Sequence, residues 1–291
     1  MHSNKVLQGC GSRSRKHGRR AFRFTLCLFS IVGVLYLGTA WSGGDGVPTM
    51  PGDIALRLTL FTQNGAITAG EPLIAKIELT NKSEKEVELS LGNNRHPTTY
   101  MEVRSQNGQI VACTPRPDPH ADEVAFGCTL KPGDSHTKFW VISALYQFKE
   151  PGVYTVRVQQ LKPSEGLPVL AEDTAMVRVT PFDAAKLEAR CEEVFQPLRT
   201  GTSHRTDLPM AVRTKALYSV RYEAALPYLE WIAVEWDGQY ACLAMRRIAT
   251  ERAISILSSL AAREDGSGKA ARNALKMPLE ITDVMWEMND Y

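Results

Sequence analysis

Residues 177–198 read VRVTPFDAAKLEARCEEVFQPL, and the spacing of the apolar residues changes inside this stretch. Residues 173–180 alternate apolar and polar side chains, which is the two-residue period of a half-buried strand. Beyond Pro181 the period becomes 3.6, and Asp183 stands where a helix N-cap is expected. One face of the predicted helix is formed by Leu187, Cys191, Val194 and Leu198. We therefore predict an α+β chain in two modules, with strands before residues 181–183 and helices after them.

The residues upstream of this point, 53–181, repeat the strand pattern about nine times. Ile54, Leu56, Leu58 and Leu60 alternate with other residues, and Asn107-Gly108 is a strong hairpin signal between two predicted strands. Short strands separated by turn residues, with no helical period, indicate an all-β sandwich.

Three motifs in this region carry a resemblance. They are Ala69-Gly70-Glu71-Pro72, Lys131-Pro132-Gly133-Asp134, and the run EPGVYTV at residues 150–156. The region resembles bacterial immunoglobulin-like domains over about 130 residues. That resemblance implies a β-sandwich but no particular activity, because this fold serves many unrelated functions. Some relatives of this kind resemble protease-inhibitor domains, and such a role would draw attention to the loop at residues 114–127.

Residues 182–291 contain an internal repeat whose period is roughly 28–30 residues, a length typical of helical repeat proteins. Ala216-Leu217 recurs as Ala244-Met245 and again as Ala274-Leu275, while Asp237-Gly238 recurs as Asp265-Gly266. A period of this length with two helices per unit indicates an α-solenoid. Residues 208–277 resemble short bacterial HEAT repeats, which implies stacked helix pairs. Each pair needs a neighbour to cover its apolar side, so the first helix, the segment 279–289 or the sandwich is expected to cap the array.

The N-terminal segment predicts export. Residues 24–41 read FTLCLFSIVGVLYLGTAW without a charge, and seven basic residues precede them. Basic flanks stay cytoplasmic, so the rest of the chain is expected on the far side of a bacterial cell membrane. Residues 24–42 form either a transmembrane anchor or a signal peptide cleaved near residues 40–42. The predicted organisation is a cytoplasmic leader (1–23), a membrane helix (24–42), a linker (43–52), a sandwich (53–181) and helical repeats (182–291).

The charge balance bears on the partner. The formal net charge is +2, but removing the basic leader leaves 27 basic and 32 acidic residues, a net charge of about −5. Nucleic acid is therefore not an expected partner, because binding to phosphates requires a basic face. No small-molecule cofactor is indicated, and a protein partner is expected.

The cysteines suggest disulfides in an oxidising compartment. Cys113 and Cys128 flank a Pro-rich loop and are predicted to form a disulfide, which would either present the loop for binding or fasten a long connection. Cys191 and Cys242 either form a second bridge or remain buried thiols.

Two groups of residues are candidates for binding. Trp231, Trp236 and Tyr240, with Trp286, would form an aromatic binding surface unless they pack in the core. Asp118 and His120, with Asp122 and Glu123, lie in one loop whose spacing does not match a structural zinc site. These loop residues are therefore candidates for polar contacts, and no metal site is predicted.

No catalytic motif stands out. The chain has no G-x-S-x-G, no H-E-x-x-H and no phosphate loop. We therefore predict a non-enzymatic cell-envelope protein that binds or scaffolds other proteins. The alternatives are a protease-inhibitor-like sandwich domain or a hydrolase whose site does not show in the sequence.

Overall fold

A computed structural model describes residues 52–92, 98–113, 126–148, 150–161, 169–201 and 208–279. The predicted membrane segment 24–42 and the loop residues Asp118 and His120 lie outside these ranges. No helix within them is both long and apolar enough to cross a membrane.

The first half of the described chain consists mainly of strands. In chain order they are β1 (Ile54–Phe61), β2 (Ala66–Thr68), β3 (Ile74–Asn81), β4 (Val87–Gly92), β5 (Thr99–Ser105), β6 (Phe126–Leu130), β7 (Ser135–Val141), β8 (Gly152–Leu161) and β9 (Val169–Thr180). They form three sheets with the strand orders β1-β3-β7, β2-β9-β8-β5 and β4-β6. The pairings are antiparallel, apart from that of β2 with β9, which is parallel.

The two larger sheets share one apolar layer. Successive strand residues point to opposite faces, so Ala75 and Ile77 of β3 are buried with Val156 of β8 and Val177 of β9 in a single cluster. Burying each such Val or Ile side chain contributes about 1.5–3 kcal/mol to folding. The sheet of β4 and β6 packs through Leu89 against the ends of β1 and β3.

The second half consists of helices. After the single turn α1 (Ile142–Leu145), they are α2 (Ala184–Thr200), α3 (Met210–Ser219), α4 (Leu226–Glu235), α5 (Gly238–Ile248), α6 (Glu251–Ala261) and α7 (Gly266–Lys276). The predicted N-cap of α2 is confirmed, because the Asp183 side chain accepts from the backbone N–H groups of Ala185 and Lys186 at 3.1 and 3.2 Å. Strands followed by helices confirm the predicted α+β class.

Helices α3, α5 and α7 start at regular intervals. They begin at Met210, Gly238 and Gly266, so successive starts are separated by about 28 residues, one repeat period. With this interval, the residue that corresponds to Ala244 in the next repeat is Arg272. The alignment of Ala244 with Ala274, predicted from the identity of the residues, is therefore wrong by two positions. Ala274 is nevertheless buried.

Strands and helices share a core. Ile74 of β3 and Val141 of β7 are buried in the same cluster as Leu187 of α2 and Leu217 of α3. The hydroxyl groups of Ser143 and Ser219 are also hydrogen-bonded at 2.9 Å. The strand half therefore covers the α2 and α3 end of the helices.

Candidate binding surface on the helices

Trp236 is the exposed member of the three predicted aromatic residues. It follows α4 directly, and its side chain is 49% exposed. Its backbone N–H and that of Asp237 both donate to the carbonyl of Ile232, at 3.0 and 2.9 Å. The short turn between α4 and α5 therefore holds an exposed indole on a fixed backbone.

Trp231 and Tyr240 are half-buried and pack on core rings. The Trp231 ring meets that of the buried Phe195 edge-on, with ring centres 5.1 Å apart. Tyr240 lies against Tyr218, with ring centres 6.3 Å apart. These two predicted binding residues therefore contribute to packing, and Trp236 is the one whose ring is free to bury more surface on a partner.

Asp237, the next residue of the turn, interacts with two tyrosines, Tyr218 and Tyr240. The Tyr218 hydroxyl donates to Asp237 Oδ2 at 3.5 Å. Burial, followed by the charge of Asp237, raises the pKa of Tyr218 and of Tyr240 above the usual tyrosine range. Both hydroxyls thus remain protonated at neutral pH.

Phe182 and Tyr222 form an exposed aromatic pair that was not predicted from the sequence. Their rings are stacked with centres 4.7 Å apart, and they are 49% and 39% exposed. The Tyr222 ring also covers Gly70, where an added Cβ would lie 2.2 Å from Tyr222 Cε2. No sequence pattern indicates a contact between residues so far apart, and the pair lies where strands meet helices.

A group of titratable residues lies beside β6 and β7. Lys138 Nζ donates to Thr99 Oγ1 at 3.4 Å, and the Thr99 hydroxyl donates to Gln160 at 2.8 Å. Burial raises the pKa of the Cys128 thiol, while the nearby Lys138 lowers it to a smaller extent. Burial also lowers the pKa of His136 and of Lys138. A thiol held in its protonated form is the opposite of what nucleophilic chemistry requires.

The predicted disulfide between Cys113 and Cys128 is not formed, although the structure describes both residues. The backbones of the two cysteines pair with different segments. Cys113 forms an isolated β-bridge with Tyr146, whereas Cys128 pairs with Leu89 in the β4-β6 sheet. The Tyr146 hydroxyl donates to the carbonyl of Met101 at 2.6 Å, and burial, followed by the nearby Cys113 thiol, raises the pKa of Tyr146.

Of the two alternatives for Cys191 and Cys242, the structure shows buried thiols. Burial raises the pKa of each to about 12, so both thiols stay protonated and pack as small apolar groups.

Comparison with known proteins gives little. No protein-family model matches the chain, and no curated protein matches it. A β-glucosidase from Listeria innocua is 15% identical over 44% of this chain and 16% of its own, with a TM-score of 0.26. The CARDB domain of a Pyrococcus furiosus protein is 13% identical over 47% of this chain and 99% of its own, with a TM-score of 0.25. Bacteroides uniformis β-glucuronidase 2 is 10% identical over 43% of this chain and 14% of its own, with a TM-score of 0.27. The chain thus spans only about a sixth of the length of the glucosidase, and likenesses this weak support no inference about fold or function.

Proposed function

We propose that this chain is a non-enzymatic protein-binding module of the bacterial cell envelope, in which the helices present the binding surface and the strands support it. The strand half is an immunoglobulin-like sandwich, and the helical half is a short HEAT-like array. The shared apolar layer of the two larger sheets supports the first assignment. The equal intervals between the starts of α3, α5 and α7 support the second.

The observation that carries the binding role is the exposure of Trp236 on a rigid turn. Tryptophan is among the residues most often found at energetic hot spots of interfaces. An indole already fixed by its backbone loses little conformational entropy when a partner covers it. Helical arrays of this kind bind other proteins through extended concave surfaces.

The proposed location depends on residues 24–42. Their apolar run and the basic leader would either anchor the chain in the membrane or export it through cleavage near residues 40–42. In both cases residues 53–291 would meet their partner outside the cytoplasm.

The test compares binding by two variants of the full chain. Partners are captured from envelope extract by chemical cross-linking, and the affinity of each purified partner is then measured for Trp236→Ala and Met176→Ala. Met176 is 71% exposed on β9 in the strand half, so it is a matched apolar control. Loss of a tryptophan hot spot costs about 2 kcal/mol or more, or at least about thirty-fold in affinity.

We expect Trp236→Ala to weaken binding by that factor and Met176→Ala to leave it nearly unchanged. If every partner binds the Trp236→Ala variant as tightly as the parent chain, Trp236 is not the binding surface and the proposal fails.

A further inference from the structure

One face of the sheet β2-β9-β8-β5 points away from the apolar layer of the sandwich, and we call it the outer face. Alternate residues of β5, β8 and β9 are buried in that layer, so the residues between them form the outer face. Residues paired directly across strands point to the same side, and they form four rows across the sheet. The first row runs from Tyr100 through Gln159 to Glu172, and the last joins Val153 to Arg178.

Large hydrophobic side chains are concentrated on this surface. Tyr100 in the first row and Met176 in the third row are both exposed. Ile110 is exposed as well, and it extends the third row through an isolated β-bridge to Arg104. Three of the seven large hydrophobic residues exposed in the described ranges thus lie on one sheet surface. Such a grouping is typical of a surface that contacts another protein.

The charged side chains of the outer face are sorted by sign along the strands. Glu172 and Glu102 lie in the first two rows, whereas Arg104 and Arg178 lie in the last two. Arg104 Nε lies 2.6 Å from Glu102 Oε1, and Arg157 Nη2, in the second row, lies 2.5 Å from Glu172 Oε2. The outer face therefore has an acidic end and a basic end.

A surface with this distribution of charge is complementary to itself. In a twofold dimer both subunits use the same patch, so a contact between two different residues occurs twice. Sheets that pack face to face keep their strands within about 30° of each other. If the twofold axis runs across the strands, the acidic end of one outer face meets the basic end of the other. Glu172 is then opposite Arg178 of the second copy, and Glu102 is opposite Arg104.

The dimensions of the outer face fit a weak dimer. Four rows span about 20 Å along the strands, and β9, β8, β5 and the segment at Ile110 span about 15 Å across them. A planar area of roughly 300 Å² is small beside the accessible area of about 800 Å² per partner in a standard interface. We therefore expect a dissociation constant in the micromolar range.

We propose that the outer face binds the outer face of a second copy of this chain in a twofold dimer, through contacts of Glu172 with Arg178 and of Glu102 with Arg104. The inference does not rest on the proposed function, because this interface lies on the strands and Trp236 lies on the helices. Each dimer carries two Trp236 residues, so a partner with two binding segments would be held more tightly than by one copy.

Reversal of single charges tests the dimer, with sedimentation equilibrium of the full chain in a density-matched detergent at low salt. Glu172→Arg places an arginine opposite Arg178, and Arg178→Glu places a glutamate opposite Glu172. Each change is expected to weaken dimerisation at least about ten-fold, because like charges opposed across an interface repel. The matched control is Glu84→Arg, the same change of charge in the exposed loop between β3 and β4, which leaves the dissociation constant unchanged.

Two further samples distinguish a changed interface from a loss of structure. An equimolar mixture of the two single variants forms a heterodimer at least as readily as the parent chain dimerises, because every opposed pair then has unlike charges. The double variant Glu172→Arg with Arg178→Glu dimerises again for the same reason. It lacks the ion pair between Arg157 and Glu172, so its recovery does not come from contacts within one copy.

Three results overturn the proposal. The first is a parent chain that stays monomeric at about 100 µM, well above the dissociation constant expected for such an interface. The second is a dimer that is equally stable in Glu172→Arg, Arg178→Glu and Glu84→Arg, since another part of the chain would then join the copies. The third is a loss in the single variants that neither the mixture nor the double variant reverses.

Discussion

The contact between strands and helices includes a buried ion pair, Glu71 with Arg190. Each side chain is 7% exposed, and Arg190 Nε lies 3.7 Å from Glu71 Oε1. Glu71 also accepts from the backbone N–H of Thr68 at 2.9 Å, and Arg190 donates to the carbonyl of Phe61 at 3.2 Å. Burial raises the pKa of Glu71, while the Thr68 N–H and the Arg190 charge oppose that shift. The Thr68 N–H and the Arg190 guanidinium thus both favour the ionised form of Glu71 against the effect of burial.

Replacing Arg190 by Met is expected to lower the free energy of unfolding by about 3 kcal/mol at pH 7, because it leaves a carboxylate buried without its cation. The loss depends on pH. A carboxyl group whose pKa is raised on folding favours the folded state below its unfolded pKa, and this contribution is lost as the pH rises through the folded pKa. The destabilisation should therefore shrink as the pH falls towards 4.5, the ordinary glutamate value. Urea unfolding at both pH values measures it.

The control is Arg199→Met. Arg199 is 53% exposed and lies 3.8 Å from Glu192, so losing this surface pair should change stability by less than about 1 kcal/mol. Equal losses in the two variants, or a loss at Arg190 that does not change with pH, would contradict the role given to Glu71.

At the scale of elements, α7 is held close to the end of α6 by the absence of a side chain at Gly268. A Cβ at this position would lie 2.0 Å from the carbonyl oxygen of Arg263, a backbone atom that cannot rotate away. Gly268→Ala is therefore expected to displace the start of α7 and to lower the free energy of unfolding by about 2 kcal/mol or more. Thermal and urea unfolding measure the change.

Gly266→Ala is the matched substitution, slightly earlier in the same helix. A Cβ there would meet nothing within 4 Å, so the better helix propensity of Ala should leave stability unchanged or raise it by up to about 1 kcal/mol. Similar destabilisation by both substitutions would show that backbone entropy, and not the contact with Arg263, decides the effect.

The hydrophobic periodicity of short segments predicted most strands and helices. It did not predict which distant strands pair with each other. The change of period after Pro181 predicted the switch from β9 to α2 because both periods are properties of a few neighbouring residues. The parallel pairing of β2 with β9 joins residues more than a hundred positions apart. Nothing local to either strand indicates that contact.

The repeat and the aromatic residues show the same limit. Residue identity aligned Ala274 with the wrong residue of α5, because alanines are common on both helices. The N-cap Asp265 gives the correct alignment, since it determines where α7 begins. Periodicity also could not tell that Trp236 is exposed and Trp231 packed, since this depends on the neighbouring Phe195 of α2.

At the scale of the whole molecule, the shared core predicts one unfolding transition for residues 52–279. Ile74 is fully buried among helical residues that include Leu187 and Leu217. Ile74→Ala should lower the free energy of unfolding by about 2–5 kcal/mol. It should do so equally when followed by the circular dichroism of the helices and by the exchange of the β8 amides.

Ile110→Ala serves as the control, because Ile110 is 61% exposed and its truncation should change stability by no more than about 0.5 kcal/mol. Helices that melt before the strands in the unmodified chain would show that the two halves fold separately.

The common core also has a mechanical consequence. Ile74 and Val141 are buried among the helices. In the described residues, packed side chains therefore connect the strands that include β1 with the helices that carry the Trp236 turn. A force applied at one of these points would therefore be transmitted to the other through continuous packed side chains.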